Sequence, residues 1–415
     1  MSRFKEVAIG EHIKLTSGFP FPSSKFSSEG FPLIRIRDIL TSQTETYFQG
    51  SFLPSYIIKK NNILIGMDGD FHVARWNGRD ALLNQRVLKV DVHSESTIVL
   101  DYLFHWLGPF VKKINETTAA TTVKHLSTKD IIKAKANFPD VKIQQKIATI
   151  LTAIDTTIQK TEVLIAKFHQ LKAGLMHDLF TRGVLPNGQL RPTREQAPEL
   201  YQKIEGEWIP RDWQYDLLDR LASRGSGHTP NKNHPEYWNG GVKWVSLADS
   251  HKLDQLYIAD TELKISHKGI QNSSAVLHPA GVVVLSRDAG VGKSAITTEP
   301  MAVSQHFMCW KCDKKMNNHF LYYWLQFQKR AFENIAMGST ILTIGLPYFK
   351  RLKIACPIDI GEQVAIAERL KSVDSQLFSL QNDLFKKKQQ KLGLMQDLLT
   401  GKVQVKVDEP EPAHA

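Results

Sequence analysis

Apolar residues recur on alternating steps of three and four in two separate stretches of the chain. The first stretch runs through Leu151, Ile154, Ile158, Ile165, Phe168, Leu175 and Leu179. The second runs through Leu370, Val373, Leu377, Leu380, Leu384, Leu394 and Leu398. These are the a and d positions of a heptad. No proline interrupts either stretch, and each opens just after one, Pro139 or Pro357, which suits a helix start. The pattern predicts two long amphipathic helices, each about 57 Å in length at a rise of 1.5 Å per residue. A single helix of this kind needs a partner for its apolar stripe. The expected partner is the other copy along the middle, with globular parts packed at the ends.

The two stretches are copies. Gly174-Leu175-Met176-His177-Asp178-Leu179-Phe180-Thr181 returns as Gly393-Leu394-Met395-Gln396-Asp397-Leu398-Leu399-Thr400 at an offset of 219 residues. The same offset pairs Gln144 with Gln363, Ile147 with Ile366, Ala148 with Ala367, Leu151 with Leu370 and Asp155 with Asp374. It also pairs the positions where the seam turns polar, Lys172 and Lys391. A fixed internal period governs the architecture. The globular parts correspond more loosely. Pro32–Asp38 resembles Val242–Asp249, Ile63–Gly66 resembles Val282–Leu285, and Asn84-Gln85-Arg86 resembles Ser304-Gln305-His306. Short β-branched runs between Gly, Asn and Pro read as strands and turns, and helices are expected around Tyr102–Ile114 and His319–Ile335.

The predicted fold class is α+β: two mixed α/β domains separated by two long coiled-coil helices, with a pseudo-twofold internal repeat. The expected layout is a first domain at 1–140, the first long helix at 141–182 and a connector at 183–212. A second domain at 213–357, the second long helix at 358–405 and a disordered tail at 406–415 complete it. A short helix is expected in the connector near Glu195–Ile204.

Composition narrows the partners. Lys and Arg number 53 against 42 Asp and Glu, a net charge of +11, and a basic balance of this size favours a polyanion. The opening residues carry no apolar core of the kind an export signal has, and no run reaches the roughly 18 apolar residues of a membrane span. Three cysteines, Cys309, Cys312 and Cys356, are too few and too odd in number for a disulfide framework. A cytoplasmic location is the expectation.

Several phrases, in this order, resemble the specificity (S) subunit of type I restriction–modification systems. They are Thr16-Ser17-Gly18-Phe19-Pro20-Phe21 leading to Pro32–Ile39, and Gly225-Ser226-Gly227-His228-Thr229-Pro230 leading to Pro235–Val245. Gly188-Gln189-Leu190-Arg191 and Gly206-Glu207-Trp208-Ile209-Pro210 follow in the connector, and Leu398-Leu399-Thr400-Gly401-Lys402-Val403 closes the set. The resemblance covers nearly the whole chain. It implies two target-recognition domains that read the halves of a split DNA site. It also implies an antiparallel helical ruler, docking of two modification subunits, and restriction subunits joining through the complex. S-adenosylmethionine would then belong to the modification subunits, ATP and magnesium to the restriction subunits, and no cofactor to this chain.

Candidate chemistry within the chain is sparse. Gly290-Val291-Gly292-Lys293-Ser294 follows an apolar strand as a phosphate loop would. However, the pattern requires glycine where Arg287 stands, and the β-branched residues that follow end in Pro300. Cys309-Trp310-Lys311-Cys312 has no second pair of zinc ligands beyond the stray His306 and His319, and Ala302–Trp310 reads as a strand, on which cysteines three apart point to opposite faces, so buried structural thiols are expected. Asp260-Thr261-Glu262-Leu263-Lys264 reads as a surface charge cluster. Neither the Asn- or Asp-Pro-Pro-aromatic signature of adenine methyltransferases nor a G-x-G-x-x-G loop is present. The chain is expected to be a non-catalytic DNA-binding subunit. The alternatives are a self-contained methyltransferase or nuclease, or a coiled-coil scaffold without DNA reading.

The DNA-reading candidates are Arg35, Arg37, Arg75, Asn84, Gln85 and Arg86 in the first half. In the second they are Arg224, His228, Lys232, Arg287, Lys293, Gln305 and His306. Arginine suits guanine, and Asn or Gln suits adenine. Arg35 and Arg37 alternate with Ile34 and Ile36, which predicts one shared strand face. Only about a third of such residues are expected to touch DNA. Lys386-Lys387-Lys388 on the second helix is either a solvated face or a contact to spacer DNA.

Overall fold

The computed structural model describes residues 4–118, 124–336 and 342–406. All of the expected disordered tail except its first residue lies outside the described residues. The chain divides into two compact units, one of Met1–Val163 with Asn382–Ala415, the other of Leu164–Gln381. The long helices are Val141–Thr181 and Ile360–Leu399, so each unit holds one globular part and a segment of each long helix.

In the first unit, Ile13–Ser17, Val87–Val92, Ile63–Gly66 and His72–Arg75 form an antiparallel sheet in that order. A second sheet places Phe31–Ile34 parallel to Ala81–Leu83. Helix Leu100–Thr117 covers the first sheet, and Lys5–Ala8 pairs with Lys135–Phe138 just before the long helix begins. The second unit repeats the plan. Ala222–Ser226, Phe307–Cys312, Val283–Ser286 and Ser294–Thr297 form the matching sheet. Trp238–Val245 runs parallel to Ala302–Val303. Helix Asn318–Phe327, continued by Lys329–Ile335, covers the sheet. Trp213–Leu217 pairs with Lys353–Pro357 before the second long helix.

One buried glutamine fastens each long helix to its globular part. Gln144 Oε1 accepts from the Val99 amide at 2.9 Å, while its Nε2 donates to the Thr97 and Pro139 carbonyls, both at 2.9 Å. Gln363 repeats this in the second unit with the Asn317 amide at 2.9 Å and the Lys315 and Pro357 carbonyls at 3.2 and 2.9 Å. Apolar packing surrounds each clamp: Ile147, Ala148 and Leu151 in one core, Ile366, Ala367 and Leu370 in the other.

Within each unit the two long-helix segments run antiparallel. In the first, Lys391 meets Asp155 at 2.6 Å and Lys388 meets Glu162 at 2.7 Å. In the second, Lys172 meets Asp374 at 2.6 Å, and Glu362 bonds the Val184 amide at 2.9 Å. The polar breaks in the seam thus pair crosswise, each lysine with the aspartate of the other copy. Each aspartate also meets the covering helix of its own unit: Asp155 lies 3.8 Å from His105 Nδ1, and Asp374 accepts from the Tyr323 hydroxyl at 2.9 Å. Every a and d residue named above is buried or half-buried. Lys387 pairs with Asp383, and Lys386 is exposed.

Three local expectations fail for identifiable reasons. The short helix expected near Glu195–Ile204 in the connector is only a 3-10 turn at Pro198–Leu200. Tyr201–Ile204 and Glu207–Pro210 form a hairpin, because Glu205 and Gly206 both take positive φ and turn the chain tightly. The connector is fixed to the second long helix by Arg191, which is buried and bonds Glu362 at 2.5 and 2.9 Å and also Asp212. Residues Ala302–Trp310 are not one strand, since a turn at Ser304–His306 interrupts them. Arg35 and Arg37 do not share a strand face. The strand stops at Ile34 because the Asp38 carboxylate accepts from the Arg35 amide at 2.9 Å and starts a 3-10 turn over Ile36–Asp38.

Two stability effects follow. Asp374→Lys should lower stability by about 1 kcal/mol, given that its ion pair with Lys172 is only partly buried. Adding Lys172→Glu should recover part of that loss in a denaturant double-mutant cycle. His105 is buried, and loss of solvation lowers its pKa to about 4 despite Asp155 nearby. An unfolded histidine titrates near 6.5, so the unfolded state binds the extra proton between these values. Stability should therefore be full above about pH 6.5 and fall by about 3 kcal/mol as pH drops toward 4. Unfolding of His105→Gln at several pH values should show a correspondingly flatter slope.

Candidate nucleic-acid interface

Each unit presents an open cleft built on the same three chain segments. In the first unit, Gly18–Phe19 crosses the turn at Asn84–Arg86: the Phe19 amide donates to the Leu83 carbonyl at 3.0 Å, and the Gln85 amide returns to the Phe19 carbonyl at 2.9 Å. The approach requires glycine, because a Cβ on Gly18 would lie 1.8 Å from the Asn84 carbonyl oxygen. The 3-10 turn at residues 36–38, pinned by the buried Asp38, supplies the third wall. In the second unit Gly227–His228 crosses the turn at Ser304–His306, with the His228 amide on the Val303 carbonyl at 3.1 Å. A Cβ on Gly227 would lie 1.6 Å from that carbonyl oxygen. Asp249, fully buried, caps the matching 3-10 turn through the Ser246 amide at 2.9 Å.

An aspartate from a hairpin buttresses the last residue of each reading turn. Asp68 holds Arg86 at 3.5 Å and His125 at 2.5 Å. Asp288 holds His306 Nδ1 at 2.7 Å and also Thr343. Both aspartates sit in the turn of the hairpin whose first strand is Ile63–Gly66 or Val283–Ser286. The turn that carries Gly290-Val291-Gly292-Lys293-Ser294 joins two strands rather than opening a helix, so it forms no phosphate loop.

The first cleft has a volume of about 430 Å³ and gathers Arg35, Arg37, Asn84, Gln85 and Arg86, with Phe21 and Phe26 behind them. The second, of about 560 Å³, gathers Lys232, Gln305 and His306 against Trp238, Trp244, Leu247 and Leu263. His228 is exposed, and its carbonyl accepts from Trp244 Nε1 at 3.1 Å beside the same cleft. The remaining candidates are engaged within the fold. Arg75 pairs with Asp101 at 2.8 Å and lies over the Phe104 ring. Arg224 chelates Asp219 at 2.9 and 3.0 Å. Lys293 donates to the Ser250 carbonyl at 3.1 Å. Arg287 donates to the Ile344 carbonyl at 2.9 Å and reaches the Gln305 carbonyl at 3.5 Å, so it positions the turn rather than facing a ligand.

Sequence reasoning missed the aromatic walls and the two buttressing aspartates. Asp38 and Asp249 were visible as a matched pair, but their capping role was not. Burial raises the thiols of Cys309, Cys312 and Cys356 to about 12, which leaves them un-ionised at neutral pH. Asp260 and Glu262 lie in surface ion pairs with Lys243, Lys264 and Lys252. Among the described residues no group of His, Cys, Asp or Glu is arranged to hold a metal, and no helix is long and apolar enough to cross a membrane.

The two clefts thus share one frame and differ in their side chains. Residues 1–167 and 210–390 match the family described as type I restriction modification DNA specificity domain. The chain belongs to that family. It is 32% identical over 219 residues to the type I restriction enzyme EcoBI specificity subunit of Escherichia coli, a match spanning 50% of this chain and 44% of that protein. It is 26% identical over 362 residues to the MjaVIII specificity subunit of Methanocaldococcus jannaschii, spanning 84% and 81%. The fold is similar to that of the type I restriction-modification S subunit from M. genitalium, with a TM-score of 0.62 at 13% identity over 96% of both chains. By family, then, this is a specificity subunit, the non-catalytic member of a type I system, and its two units carry DNA-recognition domains.

The close crossings are the least tolerant feature of the specificity subunit. Gly18→Ala and Gly227→Ala should each destabilise their own unit by about 3 kcal/mol, the upper end for forcing atoms into a packed site. Differential hydrogen exchange should localise each loss to the unit that carries the change.

Proposed function

We propose that this specificity subunit reads a bipartite, asymmetric DNA target, one half-site with each cleft, and docks the modification and restriction subunits that act there. The observation that carries this reading is the pair of clefts on matched segments with unmatched side chains. Equal frames suit equal docking on a duplex, and different side chains suit different half-sites. The net charge of +11 supports a polyanionic partner. The DNA-facing groups on this reading are Arg35, Arg37, Asn84, Gln85 and Arg86 in one unit and His228, Lys232, Gln305 and His306 in the other. The helices act as the ruler between half-sites.

Docking of protein partners is supported by large apolar side chains left exposed on the long-helix segments. These are Phe385 and Leu392 in the first unit and Leu171 and Phe378 in the second. Methyl transfer from S-adenosylmethionine belongs to the modification subunits, and ATP and magnesium to the restriction subunits. The complex works in the cytoplasm. The chain's own role is to bind and orient DNA.

Mapping methylated adenines in DNA from the source cell should yield a split motif with two different halves and a fixed spacer. Removing whole heptads from both long helices should change the spacer and leave the halves intact. DNA binding by the chain should weaken steeply with salt and become site-specific once modification subunits are bound. Methylation or cleavage by the purified chain alone would overturn the non-catalytic role, and binding that ignores sequence in the full complex would leave only a scaffold.

A further inference from the structure

The two clefts differ in kind as well as in detail. At matched positions of the 3-10 turn, Arg35, Ile36 and Arg37 in the first unit stand where Ser246, Leu247 and Ala248 stand in the second. The Arg35 guanidinium has no partner among the described residues, Arg37 is only loosely paired with Asp38 at 3.6 Å, and both are exposed. Together they give the first cleft two guanidinium forks with donors to spare, while Arg86 beside them is engaged by Asp68 and His125. In the major groove guanine alone offers two adjacent acceptors, N7 and O6, while the other bases mix or lack them.

Among the described residues the second cleft carries no guanidinium on its lining. Its walls are Trp238 and Trp244, packed edge to face with centroids 5.3 Å apart, together with Leu247, Ala248 and Leu263. Two of its polar side chains are anchored within the fold. Gln305 accepts from the Thr229 hydroxyl at 2.5 Å, and His306 is held by Asp288. A wall of this kind suits an apolar group, and the thymine methyl is the one apolar group that the major groove displays. Exposed Lys232, which lines the cleft and has no partner among the described residues, supplies charge toward a phosphate.

A second observation marks both clefts as sites for a ligand. Asn84 Oδ1 and Ser304 Oγ, at matched positions in the two turns, are buried and make no hydrogen bond among the described residues. Buried polar atoms normally find partners, and here the same position lacks one twice.

We infer that the first unit reads its half-site through guanine, using the Arg35 and Arg37 forks, and that the second reads its half-site through a thymine methyl packed on the Trp238–Trp244–Leu263 wall. This rests on the bipartite reading proposed above and adds the base chemistry of each half. The test uses the full chain assembled with its modification subunits and duplexes carrying the mapped methylation target. Each guanine is replaced in turn by 7-deazaguanine, which lacks N7, and each thymine by uracil, which lacks only the methyl. One half should lose about tenfold in affinity at a 7-deazaguanine, within the range of a bidentate arginine contact. The other should lose about fourfold at a uracil, the value of one buried methyl. The double variant Arg35→Ala/Arg37→Ala, at two exposed positions, should abolish the 7-deazaguanine penalty and leave the uracil penalty unchanged. A split motif in which 7-deazaguanine costs nothing, or the arginine variant keeps that penalty, or uracil costs nothing in the second half, would overturn the inference while the bipartite reading stands. Absence of any split motif would overturn the reading beneath it.

Discussion

Helix register in each unit is set at one carboxylate. Asp155 and Asp374 sit where three elements meet: their own long helix, the opposing helix through Lys391 or Lys172, and the covering helix through His105 or Tyr323. A carboxylate gripped from two sides fixes helix register in a way that apolar packing alone does not, because leucines tolerate a slip of one heptad and a charge pair does not. The buried Gln144 and Gln363 then lock the same helices to the start of the covering helix, about three turns earlier. These two contacts tie each globular part to its long-helix segment.

The helices were legible in the sequence because their signal is local and repeated. Their period, their offset and even the polar positions could be read. The crosswise pairing of those positions could not, since each lysine meets a residue more than two hundred positions away and only the antiparallel arrangement brings them together. The connector was misread for the opposite reason: its hairpin depends on one tight turn at Glu205-Gly206, and a stretch such as Glu195–Ile204 holds enough helix formers to mask it.

The cleft was partly legible. Arg35 and Arg37 lie some distance in the chain from Asn84, Gln85 and Arg86, each stands out by residue type, and the fold gathers them. Arg75, Arg224, Arg287 and Lys293 stand out on the same grounds and are consumed by partners within the fold. Residue type alone does not separate a free guanidinium from an occupied one. Asp101, Asp219 and the Ile344 carbonyl decide it, and none of them is marked in the sequence as a partner. The walls formed by Trp238 and Trp244 escaped notice because aromatic residues in a basic domain read first as core.

The cross-pairing has an ancestral implication. The first long helix carries both members of the lock, Asp155 and Lys172, and the second carries both again as Asp374 and Lys391. A lock whose two parts lie on one helix is self-complementary, the condition for a twofold interface between identical chains. A half-length ancestor with one domain and one helix would therefore already have held both members of that ion pair. Fusion of two such copies would have kept the pairing and left the side chains of the two globular parts free to diverge.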